Sequence, residues 1–478
     1  MGVNKRKILA RRHTRPALTS QKKHKLCQKA PPACLLRQAN AVLGHMCQFL
    51  DQGDFLSAQS TCRRLRTVCQ QVTRDWVMPI RYDGPWPRFP PLCRSLTLGP
   101  FFDATLPKDR AALPLGIHRL VFLDHSNWRF VPPDHQDEGL VLPPTLQHLV
   151  TSQHFAFPLL PGALPDTLTS CHLGDAFNHS LGGRRLPRGL QALTLGQTFN
   201  CALADGDLPP ALTSLLLGAN FDGQLRLPVG LEVLRFPPRA TFHQPLVAWA
   251  QPTLTGNEWQ LPPQLRSLTL GTRFDQPLVA GLLPEKLQCL DLGARYTHPI
   301  RTGVLPGRLT HLEMSLCRAP FEEGALPPRL TWLHISSLEC QLLPETFPPS
   351  LSVLIVSRTT TRLPQLPQHL ECLHVRQTSH HPLPDLPARL RGLHLPGDFT
   401  GPLPAQLPSS LRILRLGNSY QGPLPSPLPS DLFHLEIGHS FTDPLPPLPT
   451  GLRVLQVSKA YPFVDRLDPP VGCVVLLV

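Results

Sequence analysis

Carboxylate, imidazole and guanidinium groups recur through the second half of the chain at steps of about 20 residues. One residue per step gives Thr269, Asp291, Glu313, His334, Ile355, His374, His394, Arg415 and Glu436. A second row, two residues earlier in each step, contains His311, Trp332, Ile413 and His434. These are groups that transfer protons or hold metals, but both uses need side chains converging on one point. A fixed step spreads them along a line instead. His374 and His394 then become neighbours about 5 Å apart on adjacent strands, two parallel nitrogen donors where zinc needs three or four ligands. No metal and no cofactor are expected. The phosphate-cradling G-x-x-x-x-G-K-[ST], the nucleophile elbow G-x-S-x-G and the zinc helix H-E-x-x-H do not occur, so no catalytic residue is assigned. A row of varied charges with one large aromatic suits recognition of another protein. Asp291, Glu313, Trp332, His334, His374, His394 and Arg415 form the expected target-binding set, with Trp332 as its anchor. The plainer alternative is a solvated face on which each residue is neutral.

The element that lines these residues up is a repeat. LPRGLQALTLGQTFNCAL from Leu186, LPPALTSLLLGANFDGQL from Leu208 and LPPQLRSLTLGTRFDQPL from Leu261 share the pattern L-P-x-x-L-x-x-L-x-L-G-x-x-F-[ND]-x-x-L. The leucine after Leu-Pro falls at 168, 190, 212, 231, 265, 287, 309, 330, 351, 370, 390, 411, 432 and 452, in steps of 19 to 22 residues with one of 34. The long step covers 237–260, read as an insertion or a decayed unit. Weaker units surround Leu96, Leu120 and Leu146, giving about seventeen coils. The alternating L-x-L is a short strand with one apolar side. Such a strand buries its leucines only if the next unit stacks on it, and parallel stacking carries the intervening residues onto one open sheet face. About 22 residues leave no room for a crossover helix, and Leu-Pro favours extended or polyproline backbone, so the outer side is expected to be irregular or polyproline-like. Glycine after the strand is expected to allow a positive backbone angle at a bend, and the following Phe or Tyr to plug the corner of each coil.

Composition agrees. The 58 prolines forbid a mostly helical protein, while their register with leucine argues against disorder. The thirteen cysteines form no C-x-x-C pairs, a reduced intracellular pattern. No apolar run approaches a membrane span or a secretory signal. A cytoplasmic protein is expected. The net charge of +13 is concentrated in residues 1–30, which hold ten Lys or Arg and no acid. This basic tail (1–33) reads as a solubilising arm. Nuclear import and non-specific contact with nucleic-acid phosphates are the alternatives, although the tail has no interleaved aromatics for base stacking.

Residues 34–78 form a different module. No proline occurs over 34–76, and Val42, Met46, Phe49 and Leu50 recur at helical spacing. Asp54 can cap a second helix carrying Phe55, Leu56, Cys62 and Leu65. The segment VLGHMCQFLDQGDFLSAQSTCRRLRTVCQ resembles an F-box through Phe49-Leu50-Asp51, Asp54-Phe55-Leu56 and Cys62-Arg63-Arg64-Leu65. Leu65 stands in place of the family's tryptophan, and Gln38-Ala39-Asn40 in place of its Leu-Pro opening.

The repeats over 90–465 resemble FNIP repeats, a short relative of leucine-rich repeats, through Phe177-Asn178, Phe199-Asn200 and Tyr296-Thr297-His298-Pro299-Ile300. An F-box joined to FNIP repeats resembles proteins of amoebae and of giant viruses that infect them. The resemblance implies a mainly β, right-handed leucine-rich-repeat-like solenoid behind a small α-helical module, closed by a C-terminal cap (466–478). It also implies a substrate-recognition subunit of an SCF-type ubiquitin ligase. Val42, Met46, Phe49, Leu50, Asp54, Phe55, Leu56, Cys62 and Leu65 would dock a Skp-type adaptor while the repeats hold an unknown target protein. The alternatives are a repeat-only scaffold or decoy whose helices merely cap the solenoid, and a nucleic-acid-associated protein acting through the tail.

Overall fold

The computed structural model describes residues 93–99, 113–123, 128–134, 139–246, 261–377 and 382–478, with backbone alone at 75–77, 81–82, 101–102, 251–252 and 259–260. The basic tail, and with it every residue expected to dock the adaptor, lies outside the described residues. At the end of the expected helical module, Asp75–Val77 is a strand, as its tryptophan and valine favour.

A 19-stranded sheet runs from Asp75–Val77 to Val474–Leu477. Neighbouring coils pair parallel and in register, leucine against leucine: Leu268 faces Leu290, Leu290 faces Leu312, and Leu312 faces Leu333. These leucines are almost wholly buried. Each burial is worth about 1.5–3 kcal/mol, and each is available only once the next coil is in place. Leu-Pro-x-x-Leu closes a turn that delivers the strand: the Pro187, Pro209 and Pro306 carbonyls accept hydrogen bonds from the amides of Leu190, Leu212 and Leu309. The outer side at this motif is therefore a tight turn and not a polyproline stretch.

The glycine after the strand serves a different purpose from the one expected. Among these glycines Gly293 has a positive φ (75°), whereas Gly174, Gly196, Gly218, Gly417 and Gly438 do not. What they share is crowding. A Cβ on Gly196 would sit 2.2 Å from the Gly174 carbonyl oxygen, and one on Gly218 would sit 1.8 Å from that of Gly196. Glycine here lets one coil's backbone lie on the next.

The corner aromatics stack in a column that falls into two runs. Phe155, Phe177, Phe199 and Phe221 are fully buried, with rings 5.8, 6.1 and 6.1 Å apart and within 9° of parallel. The column continues through Phe242, Phe274 and Tyr296. It resumes at Phe399, Tyr420, Phe441 and Tyr461. Beside it runs a polar ladder. Asn178 Oδ1 accepts from the Asn200 amide at 3.0 Å, Asn200 Oδ1 from the Asp222 amide at 2.8 Å, and Asp275 Oδ1 from the Thr297 amide at 2.9 Å. The ladder uses the residue after the aromatic, two positions beyond the slot where leucine-rich repeats carry asparagine.

Between the two columns the coil changes. Strands His311–Cys317, Trp332–Leu338 and Val353–Thr359 extend to seven residues. Ser315, Ser336 and Ser357 replace the glycine, so the chain stays extended and continues the sheet past the usual bend. The long step at 237–260 is an insertion. Val233–Arg235 pairs directly with Ser267–Thr269, and the extra residues include a separate two-stranded antiparallel ribbon, Gln251–Pro252 with Trp259–Gln260. At the far end, Val474–Leu477 pairs with Val454–Val457 and leaves Val474, Leu476 and Leu477 exposed.

Candidate functional site

Strand alternation turns the residues between the leucines onto the open face. Backbone register aligns Thr269, Asp291, Glu313, His334, Ile355, His374, His394, Arg415, Glu436 and Gln456 in one row. Ser267, Cys289, His311, Trp332, Val353, Cys372, Gly392, Ile413 and His434 form the adjacent row. All seven residues of the expected target-binding set thus share one surface.

The row divides into three parts. At one end two carboxylates are adjacent, Asp291 facing Glu313. Burial raises the Asp291 pKa above the usual carboxylate value, and the charge of Glu313 adds to the rise, against the Gly293 amide that donates to its Oδ1 at 2.8 Å. Glu313 Oε1 lies 2.9 Å from His334 Nδ1, and His334 Nε2 lies 2.9 Å from Ser357 Oγ. His334 is therefore held at both nitrogens. The middle is apolar and aromatic: Trp332 packs edge-on to His334 with ring centres 6.0 Å apart, and Val353 and Ile355 follow.

The other end is rich in nitrogen. The His374 and His394 rings are 5.0 Å apart. Burial, then the neighbouring charges of His374, Arg415 and His434, push the His394 pKa down to about 4. Burial lowers His374 as well, helped by Arg376, Arg415 and His334. His434 is lowered by burial and Arg415, against Glu436, whose Oε2 lies 3.8 Å from its Nε2. This end closes at Glu436, whose Oε2 lies 3.2 Å from Arg415 Nε and whose Oε1 accepts from Gln456 Nε2 at 3.3 Å.

Sequence reasoning missed Ser357 and Gln456. Their signals were a serine in the glycine slot and the continuation of the row by one further step. Among the described residues no cluster of three or more His, Cys, Asp or Glu is placed to hold a metal, and no helix is long and apolar enough to cross a membrane.

A stacked parallel sheet with a uniform core and a varied open face defines a leucine-rich-repeat-like solenoid, a fold of interaction scaffolds. Within it, the FNIP Repeat family model matches residues 258–293 and 274–317. Among solved structures the chain is similar to CroV588, described as a novel circular leucine-rich-repeat protein, with a TM-score of 0.63 and 27% identity over 81% of this chain and 56% of CroV588. The chain thus spans little more than half of that protein. It is also similar to YopM from Yersinia enterocolitica, with a TM-score of 0.46 and 22% identity over 89% of this chain and 99% of YopM. The comparison with curated proteins returns no match.

Proposed function

We propose that this chain is a non-enzymatic substrate receptor. Its open sheet face holds a target protein, and its F-box-like segment at 34–78 docks a Skp-type adaptor of a cullin–RING ubiquitin ligase. The observation behind the target-binding half is the contrast between the two sides of the sheet. Inside, leucine repeats coil after coil; on the open face the same positions run from carboxylate through tryptophan to histidine and arginine. Uniform residues build a scaffold, whereas a varied face fixes a partner's identity. The ligase half rests on the resemblance of Phe49-Leu50-Asp51, Asp54-Phe55-Leu56 and Cys62-Arg63-Arg64-Leu65 to an F-box.

Co-purification of the full chain with a Skp adaptor tests the ligase half. Binding is expected, with loss in Leu50→Asp and Phe55→Asp. If the wild type does not bind, the protein is a repeat-only interaction scaffold. Binding that survives both substitutions rejects the named interface. For the target half, the full chain carries a photo-crosslinking residue in place of Ile355 in cells of its natural host. Adducts that depend on Trp332 are expected. An adduct pattern unchanged by Trp332→Ala rejects the face.

A further inference from the structure

The two ends of the row differ in chemistry, and the carboxylate end is unfavourable alone. Like charges directly opposite each other on neighbouring strands destabilise a sheet. Asp291 and Glu313 are such a pair, and the basic group hydrogen-bonded to Glu313 is His334. His374, His394 and Arg415 are consecutive in the same row. Burial, then the basic neighbours His334, Arg376, Arg415 and His434, hold both imidazoles uncharged at neutral pH. The acid nearest them along the row, Glu436, lies beyond Arg415 and pairs with it. Trp332, Val353 and Ile355 occupy the space between the ends. A partner's basic side chain would relieve the carboxylate pair, its carboxylate would find donors on Arg415 and the two imidazoles, and its apolar side chains would cover the middle.

We propose that the face between the Leu290 and Leu414 coils docks an extended segment of a protein partner carrying a basic side chain at one end, an acidic side chain at the other and apolar side chains between. This deepens the target-binding reading above and rests on it. Four to five strand spacings separate Glu313 from His394 and Arg415, about 19–24 Å at 4.8 Å per strand. An extended chain advances about 3.3 Å per residue, so the two charges stand about six or seven residues apart. Glu313 and Asp291 receive the Lys or Arg, Trp332 and Ile355 the apolar centre, and Arg415 with the two histidines the carboxylate. Either chain direction satisfies this pattern, because only the separation of the charges is fixed.

The test is selection of a random twelve-residue displayed peptide library on the immobilised full chain, followed by affinity measurement of the enriched peptides. Expected are peptides with Lys or Arg about six or seven residues from Asp or Glu and apolar residues between. Glu313→Gln should weaken them about tenfold, Arg415→Gln similarly, and His394→Gln less, since each variant removes a single charge-assisted hydrogen bond. Glu313 and Arg415 are at the surface, with side chains 41% and 46% exposed, so their variants keep the fold. Circular dichroism and melting temperature unchanged from wild type confirm that each has done so. Enriched peptides that lack the charge pair, or that bind all three variants as well as wild type, overturn the bipolar partner but leave protein binding standing. If no peptide binds and no Trp332-dependent adduct forms in cells, both readings fall.

Discussion

Replacing Phe199 by alanine should cost more than replacing an equally apolar phenylalanine outside the column, and the excess measures the stacking. Phe199 is fully buried and lies between Phe177 and Phe221, each 6.1 Å away and nearly parallel. Truncating a core phenylalanine costs about 3–5 kcal/mol in transfer and cavity terms, and each aromatic pair adds about 0.5–1.5 kcal/mol beyond burial. Phe321 is also buried, at 3% exposure, but has no ring neighbour among the described residues. Phe199→Ala should therefore exceed Phe321→Ala by about 1–3 kcal/mol from two lost pairs. Phe199→Leu, which keeps most of the volume, should cost roughly that excess alone. Urea denaturation gives the free energies, and hydrogen exchange read by mass spectrometry gives their location. Because coils couple to nearest neighbours, amides between Cys171 and Leu217 should lose protection first. Equal costs for the two alanine variants, or a Phe199→Leu change within about 0.5 kcal/mol of wild type, would refute an energetic role for the column.

Other expectations follow from the same geometry. Gly196→Ala must push its Cβ against the Gly174 carbonyl, so it should destabilise by about 1–3 kcal/mol. Gly307→Ala meets nothing within 4 Å and should be neutral or slightly stabilising in the same melt. Asn200→Ala removes the acceptor of the Asp222 amide and should cost about 0.5–1.5 kcal/mol, whereas Asn200→Asp keeps the acceptor and should cost less. The folded-state pKa of His394 is depressed to about 4 from 6.5, so the unfolded chain binds the proton more readily. Its stabilising contribution is complete above about pH 6.5 and is lost as pH falls towards 4. Melting temperatures taken between pH 7 and pH 4.5 should fall less steeply in His394→Gln than in wild type. Identical slopes would show that this histidine does not couple folding to protonation.

The repeat was readable because its two determinants are local in sequence. Leu-Pro-x-x-Leu closes a turn within five residues, and L-x-L places leucines such as Leu290 and Leu312 on one side, so the strands, their register and the two face rows followed from counting. The role of the glycines did not follow. Their crowding exists only between coils, and the close approach of Gly196 to Gly174 leaves no mark inside either unit. The Asn178–Asn200–Asp222 ladder was written in the Phe-Asn and Phe-Asp pairs, but it lies two residues past the position where an asparagine ladder usually stands. The lengthened strands at 311–359 appeared in sequence only as drift, because serine in the glycine slot and a missing aromatic resemble decay when read singly. On the face, residue types told which groups would be aligned. They did not tell that His334 would be fixed at both nitrogens, which depends on Ser357 two strand residues further on in the next coil.

The stretch of lengthened strands divides the repeat array into interchangeable and non-interchangeable parts. A unit ending in glycine and an aromatic can be duplicated or removed beside another of its kind, since each presents the same ring and the same bare backbone to its neighbour. A unit ending in serine with a seven-residue strand presents neither, and pairs beyond the usual bend only with its own type. Insertion or deletion of a whole unit should therefore be tolerated within the two aromatic runs and should destabilise the chain at 311–359, the part that carries Glu313, Trp332 and His334. The array can lengthen or shorten at its flanks while the spacing across its middle stays constant.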